Sequence, residues 1–587
     1  MMKSKYNPTR WENDKTVGTA DIMNNIENGI VEAHNKVSEI GSQIEEKANK
    51  SEVKNKYYDV IQPLRTFNRL PNMEFKRKHA RNLFKNLQYK IACMDFLRDF
   101  LDDENGNMYP QIESNGTTLT ESVKNNRYIV TNNNESGGSQ TRRLIGGFNM
   151  FSSYDFEVEN IIKNSSLGVR CGIDIINAKD NDRYCIFVAF TKDNKLEIRS
   201  EIFLNGVSQG VITEYSERDY NNNFAKIIFT VRANCVDVYK VIDGFKTHIA
   251  TVNIGKNINT FELMNRCRVA LFTRLNAGES VTYKTVSNYF DSGISQGDIK
   301  PIKYKNGSPL IKDGRIYFTM SSRFESGSHQ TVISQNLSGC DYKLEGVIYY
   351  LVDNKIGQDL ASSIVYDNDT GKFLIWNTCF NNDYHILSYG EAYCDIMHGI
   401  NFVNMTLMDR YAENDTDFLG KYGDEDPDFF YNDKTRKWNL IICRLVYDNE
   451  ARQNMYRYFL FESDNPFTDY VFKDKTLTGE NTGGSIVKVG GEYYLVCGSN
   501  YHTISQYNIY NLSDLSTFKP LMKDYADGGF RGWGTVFAIP CGNFTKYGWI
   551  TFDRQQVGET KWSYGNIYYY ESNLLNDGCE YNIKYSY

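Results

Sequence analysis

Five stretches of the C-terminal half share one design: SPLIKDGRIYFTM, SSIVYDNDTGKFLIW, PDFFYNDKTRKWNLII, GSIVKVGGEYYLVCG and GTVFAIPCGNFTKYGWITF. Each is an apolar strand, a polar hairpin turn and a second, aromatic strand. Aligning Ile316, Phe373, Trp438, Tyr493 and Trp549 gives steps of 57, 65, 55 and 56 residues. A sheet unit repeated at a long period cannot bury its faces alone and must stack on its neighbours. Five such units predict a five-bladed propeller over residues 291–587. The late aromatic strands NIYYYES and YNIKYSY are expected to complete the last blade and close the ring, removing exposed edges.

Composition narrows what else the chain can be. At 587 residues it is too long for one core. A hydrophobic share of 41% with 24% charge is ordinary for globular protein, and 43 Tyr with 34 Phe favours strands. A net charge of -7 excludes the basic footprint of a nucleic-acid binder. No apolar run is long enough to span a membrane, and the start MMKSKYNPTRWENDK has no apolar core of a secretory signal. The 12 Cys, among them Cys93, Cys171, Cys185, Cys235 and Cys267, form no CxxC pair. They read as reduced, buried residues of a protein made in a cytoplasm, with no metal site.

The N-terminal fifty residues carry a different period. Met23, Ile26, Ile30, Ala33, Val37, Ile40 and Ile44 alternate spacings of 3 and 4, a heptad seam capped by Thr19 with Asp21 in its first turn. β-branched residues at both seam positions favour three strands, so residues 1–50 predict a trimeric coiled coil even with Gly29 and Gly41 inside it. Residues 51–107 read as a helical connector. In it the stretch 73–103 has an apolar face of Leu83, Phe84, Leu87, Ile91, Met94 and Phe96 behind a basic start at Lys76, Arg77, Lys78 and Arg81. From 108 to 290 the texture becomes short alternating runs such as YDFEVEN, RYCIFVAF, KLEIRSEIF and CVDVYKVI, split by turn residues. That density predicts a β-sandwich, and its order of strands and turns resembles concanavalin-like, lectin-like jelly rolls. The whole is therefore expected to be mainly β with an N-terminal α-helical stalk.

The segment DPDFFYNDKTRKW, beginning at Asp426, resembles the inner-strand pattern of five-bladed propeller glycoside hydrolases of the arabinosidase, xylosidase and sucrase type. The resemblance implies three carboxylates from successive blades: a base, an acid and an Asp that tunes the acid. Two carboxyls spaced for a water between them suit inverting hydrolysis. Asp426 falls on the tuning position. The same register puts Ala361 on the base position, with Asp359 two residues early, and Thr482 on the acid position, with Glu480 two residues early. A two-residue slip preserves strand parity, so Asp359, Asp426 and Glu480 are the candidate catalytic set if the protein cleaves. For binding alone, Asp424, Asp426, Glu480, Arg531 and Trp533 sit near the strand starts, where carboxylates and rings can hold a sugar. Trp376 reads as core, and His385 and His398 as ordinary loop histidines. No cofactor is implied, and a Ca²⁺ ion in the propeller channel stays open.

The opening segment also carries a pattern. Pro8, Thr9, Trp11, Asp14, Thr16, Ala20, Met23, Asn24, Ile26, Glu27, Gly29 and Ile30 resemble the attachment segment of tail fibre and baseplate proteins in phages of Gram-positive hosts. With the stalk, sandwich and propeller behind it, the chain resembles receptor-binding tail fibres of phages infecting staphylococci and relatives. This resemblance implies a homotrimer, attachment to other virion tail or collar proteins, and adsorption to a glycosylated wall teichoic acid, without nucleic acid or membrane. A tail-borne glycosidase and a purely structural fibre are the alternatives. Light scattering on the full chain is expected to give three chain masses in solution, and deletion of residues 1–50 to give fewer. A full chain that stays monomeric would contradict the seam.

Overall fold

The computed structural model describes residues 26, 28–32, 35–36, 70, 73, 75–81, 87–101, 111–115, 119–177, 179–218, 226–232, 234–255, 261–325, 327–339, 341–357, 359–380, 385–409, 419–420, 423–449, 452–477, 481–498, 507–521, 530–541, 544–553 and 567–572. By contacts the chain divides at Met73 into two units. In the first, positions 26, 28–32, 35 and 36 are helical, with Ile26 and Ile30 exposed. Met23, Ala33, Val37, Ile40 and Ile44 of the seam lie outside the described residues.

The second unit is built almost entirely of strands. The helix expected over 73–103 is not there. Instead, strands Phe75–Arg81 and Gln88–Cys93 are followed by a π-helical turn at Leu97–Leu101. Long-range pairing overrides local propensity here. Phe75–Arg81 lies antiparallel on Ile567–Ser572, with Phe75 edge-on to Trp549 at 5.0 Å. Gln88–Cys93 pairs with Ser280–Asp291.

Between residues 111 and 291 two antiparallel sheets of seven strands each face each other, and Gln88–Cys93 adds an eighth strand to one of them. Alternation is clean where one face is wet, as in Arg127–Asn132, whose residues alternate half-buried and buried. It disappears in central strands such as Val169–Asn177, which are covered on both faces. Ile173, Ile186 and Leu271 of one sheet share a core with Phe156, Phe229 and Val281 of the other. Met94, Phe96 and Phe100, expected on a helix, enter this core as well.

Five further sheets follow. The innermost strands of blades one to five are Ser295–Pro301, Leu360–Asp367, Glu425–Asn432, Thr482–Val489 and Phe530–Cys541. Each leads into the aromatic strand that the sequence repeat aligned. Apolar layers glue neighbouring blades. Ile348 and Tyr350 meet Ile364 and Ile375 between blades one and two. Trp376 and Leu387 meet Phe429 and Phe461 between two and three, so Trp376 is core. Phe430 and Tyr458 meet Ile486 and Leu495 between three and four. Tyr507 packs edge-on to Trp549 at 4.4 Å between four and five. Ile316 and Phe318 meet Phe537 and Tyr569 between one and five, which closes the ring. Among the described residues the outer strand of blade five is Phe75–Arg81, from before the paired sheets; YNIKYSY lies outside the described residues.

The paired sheets and the ring meet through an aromatic joint. Arg232, 2% exposed, lies over the ring of Phe324 at 3.8 Å and over Phe151 at 5.0 Å. His329 stacks on the same two rings, and Tyr349 donates to the Met150 carbonyl. Burial first, and the Arg232 charge second, hold the His329 imidazole well below its ordinary value, so it stays neutral.

Near the axis, Asp428 ties blades together. Its carboxylate pairs with Lys303 and accepts from Ser363 Oγ of blade two at 2.5 Å and from the Ile486 N–H of blade four at 2.7 Å. Burial alone would raise this carboxyl, but the Lys303 and Lys300 ammoniums bring it below the usual carboxylate value. Removing one member of a buried pair strands the other charge, at about 3–5 kcal/mol. Lys303→Met is therefore expected to lower the urea midpoint of propeller unfolding strongly, read by tryptophan fluorescence. Restoring an uncharged pair with Lys303→Met/Asp428→Leu should recover part of the loss. A wild-type midpoint for Lys303→Met would contradict the hub.

Candidate functional site

Every innermost strand slips register near its start, between Gly297 and Lys300, Leu360 and Ser363, Glu425 and Asp428, Thr482 and Ser485, and Arg531 and Gly534. In the first four blades the slip centres on a residue in the left-handed region: Asp298 at φ 52°, Ala361 at 54°, Asp426 at 52° and Gly483 at 60°. Asp and Gly suit such a bulge, whereas an alanine there costs about 1–2 kcal/mol. Of these positions, Asp298, Asp426 and Gly483 line one cavity. Its volume is about 10 Å³, close to the room one water needs, and it is lined by Asp298, Ile299, Lys300, Asp426, Gly483, Gly484, Ser485 and Gly534.

Asp426 is buried in its wall, 9% exposed. Its N–H donates to Thr378 Oγ1 at 3.0 Å, and its Oδ2 accepts from the Gly483 N–H at 3.1 Å. Burial, then the negative charges of Glu425 and Asp298, push its carboxyl up to about 7, with Lys300 and the Gly483 N–H opposing. Asp298 is held by Arg323 Nη2 at 3.0 Å. Lys300 spans the axis, donating to the Pro427 carbonyl at 2.7 Å. Gly484 is required by its neighbour, since a Cβ there would sit 2.4 Å from Cζ of Tyr458.

The register reading of blades two and three agrees with these positions, because Ala361 and Asp426 occupy equivalent bulges. The proposed companions do not line up with it. Asp359 does not line the cavity. It is buried against Cys379 and Asn377 at the edge of blade two, where burial pushes it up to about 7. Asp424 is not among the residues lining the cavity: it is fully buried, in a two-pronged pair with Arg444 at 2.6 and 2.8 Å. Glu480 lies outside the described residues, as do the side chains of Arg531 and Trp533, whose backbone belongs to the strand Phe530–Cys541. His398 sits between Asp395 at 2.9 Å and the Tyr317 hydroxyl at 3.3 Å.

Asp298 and Lys300 were missed. The first repeat unit, SPLIKDGRIYFTM, begins after the strand that carries them. Its SPLI portion contributes only the two-residue edge strand Ile311–Lys312. The signal that could have found them is the DIKP step before a blade start, comparable with DPDF at Asp426. Glu425, Asp426 and Cys443 offer ligand atoms within 4.8 Å of one another. Cys443 donates to the Asn481 carbonyl at 3.4 Å, and burial raises its thiol well above the usual value, which favours the neutral form over a thiolate ligand. Lys300 and Lys303, both buried, place ammonium groups near the axis.

No family model matches the sequence, and no curated protein matches it. Among solved structures, the inulosucrase from Halalkalicoccus jeotgali bound to kestose is similar at 14% identity, covering 48% of this chain and 86% of that one with a TM-score of 0.35. A family 117 glycoside hydrolase produced by Zobellia galactanivorans is similar at 12% identity, covering 48% and 86% with a TM-score of 0.35. A legume lectin-like domain from Entamoeba histolytica is similar at 11% identity, covering 30% and 88% with a TM-score of 0.23.

Asp359 and Asp426, both raised to about 7, hold protons in the folded state that the unfolded chain releases near its ordinary value of 3.8. Stability from these groups is therefore full below pH ~4 and is lost as pH rises through ~7. Thermal unfolding between pH 5 and pH 8 is expected to show wild type weakening, with Asp359→Asn flattening that dependence and raising the midpoint at pH 8. A variant less stable than wild type at pH 8 would contradict the assignment.

Proposed function

We propose that this protein is a receptor-binding fibre subunit of a virus of Gram-positive bacteria, holding a host wall glycopolymer in the propeller funnel without cleaving it. The observation that carries the non-cleaving part is the make-up of the bulge ring. Its described positions are Asp298, Ala361, Asp426 and Gly483, and blade four turns a backbone N–H onto Asp426 instead of opposing it with a second carboxyl. A half-protonated Asp426 can donate to one sugar hydroxyl and accept from another, and Lys300 supplies a cation beside it. The attachment-like opening segment and the heptad seam support a homotrimer joined to virion tail or collar proteins, with glycosylated teichoic acid as the ligand. The two-sheet unit is read as a lectin-like sandwich between stalk and propeller. Linked copies raise avidity by roughly 10²–10⁴ over a weak single site.

A hydrolase is the second reading, favoured by one observation. Asp298, paired with Arg323, and Asp426 both line the one cavity, and hydrolysis needs two carboxyls at one site, one as acid and one as base. Incubating the full chain with purified glycosylated wall teichoic acid separates the readings. Retention of the polymer with no released sugar or glycerol phosphate, and weaker retention by Asp426→Asn, is expected. Sustained release abolished by both Asp426→Asn and Asp298→Asn would replace binding by hydrolysis, and no retention at all would leave a structural fibre.

A further inference from the structure

Two large rings stand exposed beyond the funnel mouth, Phe380 at 42% and Tyr447 at 61%. Single exposed rings are common on protein surfaces. What distinguishes these is where the sheet register puts them. Thr378, which accepts the Asp426 N–H, pairs with Leu360 at the start of blade two. Phe380 follows two residues on, on the same strand face and about 7 Å further out. On blade three Glu425 opposes Cys443, and the hairpin runs past the funnel through Leu445, 43% exposed, to Tyr447 opposite Asn454. That overhang reaches about 14 Å beyond the ring of bulges.

A chain of contacts joins the rim to the cavity. The Phe380 ring meets the His385 imidazole edge-on at 4.8 Å. His385 Nε2 lies 3.3 Å from Glu425 Oε2, and Glu425 adjoins Asp426 in the cavity wall. His385 is further fixed through its carbonyl, which accepts the Gly423 N–H at 2.7 Å. Aromatic faces stack on the apolar side of a pyranose, and the part-exposed Glu425 carboxylate, backed by the buried Nε2 of His385, offers acceptors to hydroxyls. The order ring, polar pair, cavity is that of a track for successive sugar units.

We infer that Phe380, the His385–Glu425 pair and Tyr447 form a rim subsite for the units following the one in the funnel, so that the ligand recognised is a glycan chain and not a single sugar. This rests on the reading of the funnel as a saccharide site. Calorimetric titration of the full chain with intact glycosylated wall teichoic acid, and with its isolated repeating unit, tests it. Phe380→Ala and Tyr447→Ala are each expected to lower the ratio of polymer to repeating-unit affinity by about three- to tenfold, with unchanged thermal midpoints. Asp426→Asn should weaken both ligands together. If Asp426→Asn weakens both while the rim variants keep the wild-type ratio, the rim subsite is wrong and the funnel stands. If Asp426→Asn changes neither, or wild type binds neither probe, the funnel reading fails and takes the rim with it.

Discussion

A single carboxylate near the axis fixes how three separate segments of this ring meet. Asp428 gathers an ammonium, a hydroxyl and a backbone N–H from separate segments into a space that excludes water. Apolar layers between blades supply most of the burial, but they tolerate sliding. The converging charged contacts do not, because an ion left unpaired at that depth is very costly. Lys303 gives this hub a long reach, since its own two-residue strand runs parallel to blade two while its ammonium crosses to blade three.

The bulges follow from that geometry. Five inner strands converging on one axis must end without colliding, and a one-residue slip bends each away while turning one side chain inwards. The same device therefore limits packing and creates the site. Which chemistry results depends only on what occupies the turned-in position. At the described bulge positions, acid, methyl, acid and glycine alternate, so that the mouth is polar at two of them and bare at two. An alanine kept in a left-handed conformation marks a place where the backbone shape is imposed by the ring and not chosen by the residue.

What could be read from the sequence was what repeats locally. Strand, turn and aromatic strand recur within fifteen residues, so blade number and the equivalence of Ala361 with Asp426 were legible. Asp298 was not, because its strand SQGDIKP has no apolar run and its hairpin partner starts only after an intervening edge strand. The role of Asp424 was hidden for a related reason: Arg444, which neutralises it, lies across the hairpin. The stretch 73–103 has the composition of a helix, and only its pairing with a segment from the other end of the chain makes its first part a strand. Non-local partners leave no mark on local pattern.

Because Phe75–Arg81 belongs to blade five and Ser295–Pro301 to blade one, the two-sheet body is spliced into the ring with both of its ends leaving from neighbouring blades. A bead on a single leash can swivel, whereas one gripped at two adjacent points and wedged by stacked rings cannot. Any tug on the outer face is thus shared between two covalent paths, and peeling open the last sheet would require shearing a strand whose far end is anchored in the neighbouring body.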